Sequence, residues 1–335
     1  MLKSKFENLL TFIYNKNILI TTHDLVDIDG LVSCYTLKFF FNQYFKDQEI
    51  SIYFSGLSKP TENYLKNFNA KFPEFDLSYE KNLDIANIDI LVIVDTNNLN
   101  QIKLNNNIDI LHSNIPYIFI DHHYKSPDSK NSNKESFDIL YENYSSTAEI
   151  ILELFESYKI QLTLPLKILN ISAILTDSGF FKYANNKSIR NVSNLLCKDI
   201  EIQEIFLLLQ NDIDISQKIA HIKGLQRVEL IREGEYLIGV TNVSSFGASV
   251  ASMLIKTGFD IGIVVSKELT QHVINTRAKK KVCVKTGLNL GKILEEISER
   301  YQCSGGGHDG AASITFKIEF DIIIQEIIQK VKDYL

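Results

Sequence analysis

The sequence predicts an α/β protein: a doubly wound, mainly parallel sheet followed by a smaller α/β domain. Short apolar runs alternate with helical patterns over residues 1–200, as is typical of a parallel sheet with crossover helices. The length of 335 residues exceeds what one core usually supports, so two domains are expected. The predicted boundaries are 1–205 for the first domain, 206–225 for a linker and 226–335 for the second domain.

Within the first domain, the predicted elements follow one another in alternation. An amphipathic helix is predicted at 3–16, and a short apolar strand at 17–22 leads into the polar loop 23–29. Helical periodicity follows at 30–45. Further strands are predicted at 51–55, 88–94 and 117–120, and further helices at 61–67, 145–158, 165–176 and 191–208. The polar loop thus lies between a strand and a helix, where α/β proteins place ligands.

The second half has its own pattern of strands and helices. A hairpin is predicted at 228–243, strands at 261–267, 272–276 and 311–318, and helices at 247–257, 290–300 and 322–334. The polar, charged stretch before 228 separates this pattern from the first half. It therefore predicts an independent domain.

Composition narrows the class of protein. The net charge of −6 and pI of about 5.7 argue against a broad basic groove for long duplex nucleic acid. They are compatible with a small basic pocket for a short anionic substrate. The four cysteines form no CxxC pair, which favours reduced thiols. Without a signal-peptide layout or an apolar run of about 18 residues, we expect a cytoplasmic protein with no membrane partner.

Four predicted elements end in acidic or histidine residues. These are His23, Asp27 and Asp29 after the first strand, Asp95 after the strand at 88–94, Asp121, His122 and His123 after the strand at 117–120, and Asp177 after the helix at 165–176. Each group alone also fits an ordinary turn or helix cap. Their order, each at the end of an element, favours one metal centre along one sheet edge.

The ligand types indicate which metal is expected. Carboxylates dominate, with some imidazole and no thiol, which favours Mn²⁺ or Mg²⁺ over a structural zinc. A carboxylate-bridged pair of such ions, roughly 3.5–4 Å apart, would generate hydroxide and clamp an in-line displacement at phosphorus.

A second motif lies near the carboxyl end of the chain. Gly305, Gly306 and Gly307 precede His308, and consecutive glycines allow the backbone to approach a ligand closely. Their successive N–H groups can cradle an anion, to which His308 can also donate. Arg277 follows a predicted strand and can clamp a phosphate. A flexible loop and a solvated arginine are the simpler alternative.

In combination, these motifs resemble the DHH phosphoesterase superfamily, in the branch with a DHH-associated C-terminal domain. The nearest resemblance is to the oligoribonuclease (nanoRNase)/pAp-phosphatase group, and it covers nearly the whole chain. It rests on His-x-x-x-Asp-x-Asp at 23–29, Asp95, Asp-His-His at 121–123, Ser-Ser-Thr-Ala-Glu at 145–149, Asp-Ser-Gly at 177–179 and Gly-Gly-Gly-His at 305–308. The chain departs from the family at Leu25-Val26, where Asn-Pro is frequent, and around Arg277.

The resemblance implies a role for each residue. His23 and Asp27 are expected to bind one Mn²⁺, Asp29, His122 and Asp177 the other, and Asp95 both. Asp121 is expected to orient His122, and His123 to contact the scissile phosphate. The expected contacts to a second phosphate or terminal nucleotide are Arg277, Gly305, Gly306, Gly307 and His308. Mg²⁺ or Co²⁺ could replace Mn²⁺.

The resemblance also implies a function. It predicts a two-metal phosphodiesterase with its active site in the cleft between the domains. Short single-stranded oligonucleotides would be cut to 5′ mononucleotides, and 3′-phosphoadenosine 5′-phosphate (pAp) is a further substrate. The alternatives are an inorganic pyrophosphatase, a phosphodiesterase for another small ester such as a cyclic dinucleotide, and a nucleotide-binding module without turnover. The sequence leaves open the substrate length and polarity, RNA against DNA, and whether the protein is a homodimer.

Overall fold

The computed structural model describes residues 2–81, 83, 85–104, 115–124, 137–210, 214–268, 271–316 and 320–335. It divides into two compact units, Met1–Asn211 and Asp212–Leu335. Within the described residues, every helix is too short or too polar to traverse a lipid bilayer.

The first unit is built on a five-stranded parallel sheet, as the sequence predicts. Its strands are β1 (Ile18–Thr21), β2 (Ile50–Ile52), β3 (Ile90–Val94), β4 (Tyr117–Asp121) and β5 (Ile139–Leu140), in the order β2-β1-β3-β4-β5. Its helices are α1 (Leu2–Ile13), α2 (Ile28–Tyr44), α3 (Lys59–Lys71), α4 (Thr147–Tyr158), α5 (Leu164–Asp177), α6 (Asn186–Leu195) and α7 (Ile202–Leu208).

The strand order explains why ligand-type residues collect at one edge. From β1 the chain moves outward to β2, and it then returns to β3 on the other side of β1. This reversal is the topological switch point at which open α/β sheets bind ligands. The carboxyl ends of β1, β3 and β4 lie side by side there, so the segments that follow them converge.

Apolar residues bury both faces of this sheet. Successive side chains of a strand point to opposite faces. Ile20 and Val92 therefore join the large core formed with the helices, whereas Leu19, Leu91 and Phe119 join a smaller cluster on the other face. Burial on both faces accounts for the uninterrupted apolar runs in the sequence.

One predicted helix of the first unit is wrong in extent. Residues 191–208 are predicted as a single helix, but the structure has α6 and α7 separated by 196–201. Asn185 starts α6 early by accepting from the backbone N–H groups of Lys187 and Ser188, and Leu196 then adopts an extended conformation that ends it.

The second unit contains a six-stranded mixed sheet. Its strands are β6 (Glu229–Glu233), β7 (Tyr236–Val243), β8 (Ile261–Glu268), β9 (Gln271–Ala278), β10 (Ser304–His308) and β11 (Ala311–Phe316), in the order β10-β11-β9-β8-β7-β6. Only the β7–β8 pair among these is parallel. Its helices are α8 (Ile215–Gln226), α9 (Gly247–Thr257), α10 (Lys280–Thr286), α11 (Leu290–Arg300) and α12 (Phe320–Lys332).

The segment predicted as a linker, 206–225, contains the end of α7 and most of α8. Asp214 caps α8, and Ala220 packs with Val243 and Val250 in a small apolar cluster. A Cβ on Gly224 would lie 2.6 Å from Val250 Cγ1, so glycine permits this close packing. The second half of the segment is therefore a helix of the second unit, and its exposed side chains include Ile215, Ile219 and Ile222.

The glycine run forms an edge strand, β10, rather than a loop. Gly306 and Gly307 have φ of +156° and +149°, a conformation essentially restricted to glycine. A Cβ on Gly307 would lie 2.3 Å from the carbonyl oxygen of Ala311, and one on Gly291 of α11 would lie 2.4 Å from that of Gly307. Part of the glycine requirement is therefore close packing of β10 against β11 and α11.

We expect Gly307→Ala to destabilise the protein more than Gly306→Ala. Both variants adopt an unfavourable φ at a cost of about 1–3 kcal/mol, but a Cβ at Gly306 meets no atom within 4 Å. The clash at Gly307 should cost about 1–3 kcal/mol more, measured as the free energy of unfolding of the full chain in urea. Equal losses would contradict the packing against Ala311.

Candidate metal centre

His23 lies just beyond β1 and turns its ring toward two carboxylates. Its Nδ1 is 2.9 Å from the carbonyl oxygen of Asp24 and must carry a proton to donate there. In the neutral ring Nε2 then holds the lone pair, and it lies 3.7 Å from both Asp27 Oδ1 and Asp95 Oδ2. This is the tautomer that a metal-ligating histidine needs.

Asp95 follows β3 directly and lies between two histidines. Its backbone is left-handed, with φ of +60°, a conformation that aspartate tolerates better than most residues. Its Oδ2 faces His23, while its Oδ1 accepts from Thr147 Oγ1 at 3.0 Å and lies 3.6 Å from His122 Nε2. A carboxylate that turns one oxygen toward each histidine can bridge two cations.

Asp29, in the first turn of α2, is held by the start of another helix. The backbone N–H groups of Thr147 and Ala148, at the N-terminus of α4, donate to its two oxygens at 2.6 and 3.1 Å. Such N–H groups have no partner within their own helix, and the helix dipole favours a negative charge beside them. The side chain of Asp29 is thereby fixed in a buried position.

His122 and Asp177 complete the group. His122 Nδ1 lies 3.3 Å from the carbonyl oxygen of Tyr144, which again places the proton on Nδ1. Its Nε2 lies 3.1 Å from Asp177 Oδ2 but outside hydrogen-bonding geometry, so this buried atom has no hydrogen-bond partner within the described structure. Asp177 is the last residue of α5.

The predicted metal ligands fall into two sets that lie side by side. Potential ligand atoms lie within 4.8 Å of one another in each set. One set is His23, Asp27 and Asp95, and the other is Asp29, His122 and Asp177. A further group that meets the same distance, Asp95, Asp121, His122 and His123, overlaps both sets. The structure therefore brings together all six residues predicted as metal ligands, and the contacts of Asp95 join the two sets.

The carboxylates repel one another in this buried place. Burial raises the pKa of Asp29 well above its ordinary value, and the charges of Asp95 and Asp177 raise it further. Burial also raises the pKa of Asp95, against the opposing influence of His23. The described partners of Asp95 are histidines and a hydroxyl group, and no lysine or arginine is among them. Bound cations would remove this penalty.

The same carboxylates act on the histidines. Burial lowers the pKa of His23, but Asp27 and Asp95 outweigh it and raise the pKa to about 10. Burial likewise lowers the pKa of His122, and Asp177 raises it to a net increase. Without a cation the His23 ring therefore holds a second proton that a cation must displace.

Asp121 orients His123, which corrects the expectation that it orients His122. Asp121 Oδ1 accepts from His123 Nδ1 at 2.8 Å, and its Oδ2 accepts from Asn97 Nδ2 at 2.7 Å. The hydrogen bond to Asp121 raises the pKa of His123 to about 9, although burial opposes it. The orienting contact of His122 is instead the carbonyl oxygen of Tyr144.

Four supporting residues were missed by sequence reasoning. Thr147 and Ala148 belong to the Ser-Ser-Thr-Ala-Glu segment, which the sequence indicates only as a helix start. A helix N-terminus is also an anion site, and that principle could have connected them to a carboxylate. Asn97 and the carbonyl group of Tyr144 act through geometry that one sequence does not reveal.

The predicted phosphate contacts lie in the second unit. Arg277 on β9 and His308 on β10 both pair with Ala311 on the intervening strand. Directly paired residues of adjacent strands share one face of a sheet. Arg277 and His308 therefore flank a small side chain on one face, and Arg277 Nη1 donates to the carbonyl oxygen of Thr276 at 3.1 Å.

Comparisons with known proteins identify the family of this chain. The pattern of the DHH family N-terminal domain matches residues 17–175. An uncharacterized protein of Methanocaldococcus jannaschii is 30% identical over 323 residues, which cover 96% of this chain and 94% of the relative. The chain belongs to the DHH family. Members of this family are phosphoesterases.

Two solved structures share the fold of this DHH chain. One is an exopolyphosphatase-related protein from Bacteroides fragilis, with a TM-score of 0.65, 16% identity, and coverage of 99% of this chain and 96% of that chain. The other is the DHH domain of a member of a ribosomal protein family, with a TM-score of 0.50, 13% identity, and coverage of 99% and 91%. At these identities the likeness shows the fold alone.

We expect Mn²⁺ binding to release protons. At pH 8 His23 is protonated without a cation, because its pKa is about 10, and Nε2 must lose its proton to become a ligand. The binding enthalpy from calorimetry should therefore vary with the ionisation enthalpy of the buffer, and the affinity should rise with pH. His23→Gln should reduce the number of protons released, whereas His221→Gln, in the second unit, should not. An enthalpy independent of buffer would contradict this assignment.

A second expectation concerns the Asp121–His123 pair. Asp121→Asn removes the charge that raises the pKa of His123, so this pKa should fall from about 9 toward its ordinary value of 6.5. NMR titration of the histidine rings in chelator-treated protein measures it, with His123→Gln to assign the resonance. An unchanged pKa would show that another group sets the charge of His123.

Proposed function

We propose that this DHH-family protein is a two-metal phosphoesterase that cuts very short oligonucleotides to 5′ mononucleotides and also accepts pAp. The observation that carries the proposal is the position of Asp95. Its two oxygens face His23 and His122, which belong to two separate sets of potential ligands. Two cations sharing one carboxylate is the arrangement used for in-line displacement at phosphorus.

The residues fit divalent cations in their chemistry. Four carboxylates and two imidazoles, with no thiol, suit Mn²⁺ or Mg²⁺. The buried Nε2 of His122, without a hydrogen-bond partner in the described structure, is an orphaned lone pair that a cation would satisfy. His23, Asp27 and Asp95 would hold one ion, and Asp29, His122 and Asp177 the other. When bound, such ions supply Lewis acidity and orient a phosphate.

His123 has the properties of a proton donor to the substrate. Its side chain is 56% exposed, so it can meet a substrate, whereas Asp121 behind it is fully buried. With Nδ1 committed to Asp121 and a pKa of about 9, the ring carries a second proton on Nε2 at neutral pH. That proton can stabilise charge on a phosphate oxygen or pass to the leaving oxygen.

The open space beside the metal ligands suits a small substrate. A cleft of about 660 Å³ is lined by His23, Asp27, Asp95 and His123 among others, all in the first unit. This volume lies in the range of small-molecule sites. The contacts of Arg277 and His308 to a second phosphate remain predictions. The location of the active site between the domains also remains a prediction.

We expect Asp95→Asn to abolish Mn²⁺-dependent hydrolysis of an RNA dinucleotide, with a loss of about 10³-fold or more in kcat. The change keeps the oxygen that accepts from Thr147 and removes the charge shared by the two ligand sets. Asp76→Asn, which neutralises an exposed carboxylate outside the cleft, is the matched control and should keep full activity. Calorimetry should show that Asp95→Asn also weakens Mn²⁺ binding.

A substrate panel tests the specificity. Purified protein with Mn²⁺ is compared on an RNA dinucleotide, pAp, a cyclic dinucleotide and pyrophosphate. The proposal expects the highest kcat/KM for the linear dinucleotide. A preference for pyrophosphate would replace it with the pyrophosphatase alternative, and no turnover of any of the four would overturn it.

A further inference from the structure

A second group of residues lines the same cleft and differs in chemistry from the metal ligands. This group, called the amide wall below, consists of Asn98, Asn100, Gln101, Lys103 and Tyr124. Amide side chains and an aromatic ring predominate, whereas the metal side consists of carboxylates and imidazoles. Neither metal binding nor the role of His123 uses this wall.

Hydrogen bonds hold the amide wall in place. The carbonyl oxygen of Gln101 accepts from the backbone N–H of Asp24 at 2.6 Å, and Asn98 Oδ1 accepts from the backbone N–H of Asn100 at 3.0 Å. Gln101 Oε1 accepts from Thr96 Oγ1. Among the contacts of the described residues, Asn98 Nδ2, Gln101 Nε2 and the amide of Asn100 are not used. Hydrogen bonds therefore hold the Asn98 and Gln101 side chains in place, and their N–H groups and the Asn100 amide remain for a ligand.

Tyr124 presents a bare aromatic ring at the same cleft. Its side chain is 83% exposed, and its ring stacks on no other ring in the described part of the chain. Its backbone is nevertheless anchored, because its carbonyl oxygen accepts from Asn97 Nδ2 at 3.2 Å. The same Asn97 side chain donates to Asp121, so the position of Tyr124 is coupled to that of the His123 pair.

We propose that this wall is a nucleobase subsite, in which the base stacks on Tyr124 and its edge meets the amides of Asn98, Asn100 and Gln101. The inference rests on the proposed function and deepens it. Aromatic rings hold bases by stacking, and asparagine and glutamine amides match the paired donor and acceptor groups of a base edge. Pyrophosphate has neither a ring to stack nor an edge to read, so the wall favours a nucleotide substrate.

Lys103 does not change this assignment. Its Nζ pairs with Asp24, whose other oxygen accepts from Ser55 at 2.8 Å. This pairing offsets its charge, so the wall presents mainly neutral hydrogen-bonding groups. A neutral polar surface beside a ring suits a base better than a further phosphate.

The test compares an RNA dinucleotide with an analogue in which hydrogen replaces both bases. Tyr124→Ala should raise KM for the intact dinucleotide about 10-fold, with a smaller change in kcat, and leave the abasic analogue unaffected. Tyr124→Phe should restore KM, because stacking needs the ring and not the hydroxyl group. Tyr14→Ala removes an exposed tyrosine outside the cleft and should change neither substrate.

The amides have a separate readout. The described structure gives the Asn100 amide no contact to lose, so Asn100→Ala should fold normally. It should change the ratio of kcat/KM between adenine and uracil dinucleotides about 5-fold or more, whereas Tyr124→Ala should lower both alike. Equal effects of Tyr124→Ala on intact and abasic substrates, or no effect on either, would overturn the subsite.

Failure of the subsite and failure of the proposed function are distinguishable. Wild-type protein that cleaves no dinucleotide refutes the function, and AMP then tests the subsite by calorimetry with ribose 5-phosphate as the base-free comparison. Weaker AMP binding by Tyr124→Ala, with ribose 5-phosphate unchanged, supports the subsite. Equal binding of AMP by wild type and variant overturns it.

Discussion

The contact between Asp29 and the N-terminus of α4 is the interaction on which both fold and site depend. Asp29 lies in the first turn of α2, just after β1, and its two oxygens accept from Thr147 and Ala148, which lie 118 and 119 residues farther along the chain. Thr147 also donates to Asp95 at the end of β3. The N-terminus of α4 therefore fixes the segments that follow β1 and β3 relative to each other. It does so through the Thr147 hydroxyl group and through backbone N–H groups that have no partner within their own helix.

This arrangement stabilises the ligand positions and destabilises the metal-free state. The helix N–H groups compensate Asp29 only in part, since its pKa is still well above the ordinary value because of burial and the nearby carboxylates. The N–H groups and hydroxyls fix the oxygens, and histidines rather than lysines or arginines complete the described surroundings of Asp95. A lysine or arginine beside Asp95 would neutralise its carboxylate permanently and would exclude a metal cation. The repulsion lowers the stability of the fold, and cation binding, as proposed, would recover that stability.

The sequence predicts which residues form the candidate site, but it does not predict the contacts that position them. Residues that follow parallel strands must share an edge, so His23, Asp95 and His122 could be grouped without coordinates. The left-handed backbone of Asp95 and the carbonyl partner of His122 depend on tertiary packing, for which one chain has no local signal. The glycine run shows the opposite error: its composition suggests a loop, but Gly307 and Gly291 serve close contact between β10 and α11. Consecutive glycines therefore indicate that a backbone packs closely against another group, but they do not indicate which group that is.

The three residues of the Asp-His-His triplet lie at one strand end but differ in their exposure and in their hydrogen-bond partners. Because side chains alternate along an extended chain, neighbours cannot all point to one place. Asp121 is buried, His122 is 13% exposed and His123 is 56% exposed. Each imidazole then acquires its own partner: a carbonyl oxygen leaves His122 with a lone pair for a cation, whereas a carboxylate keeps His123 charged. In the proposed mechanism, the group that faces Nδ1 therefore decides whether the Nε2 of each ring serves as a metal ligand or as a proton donor.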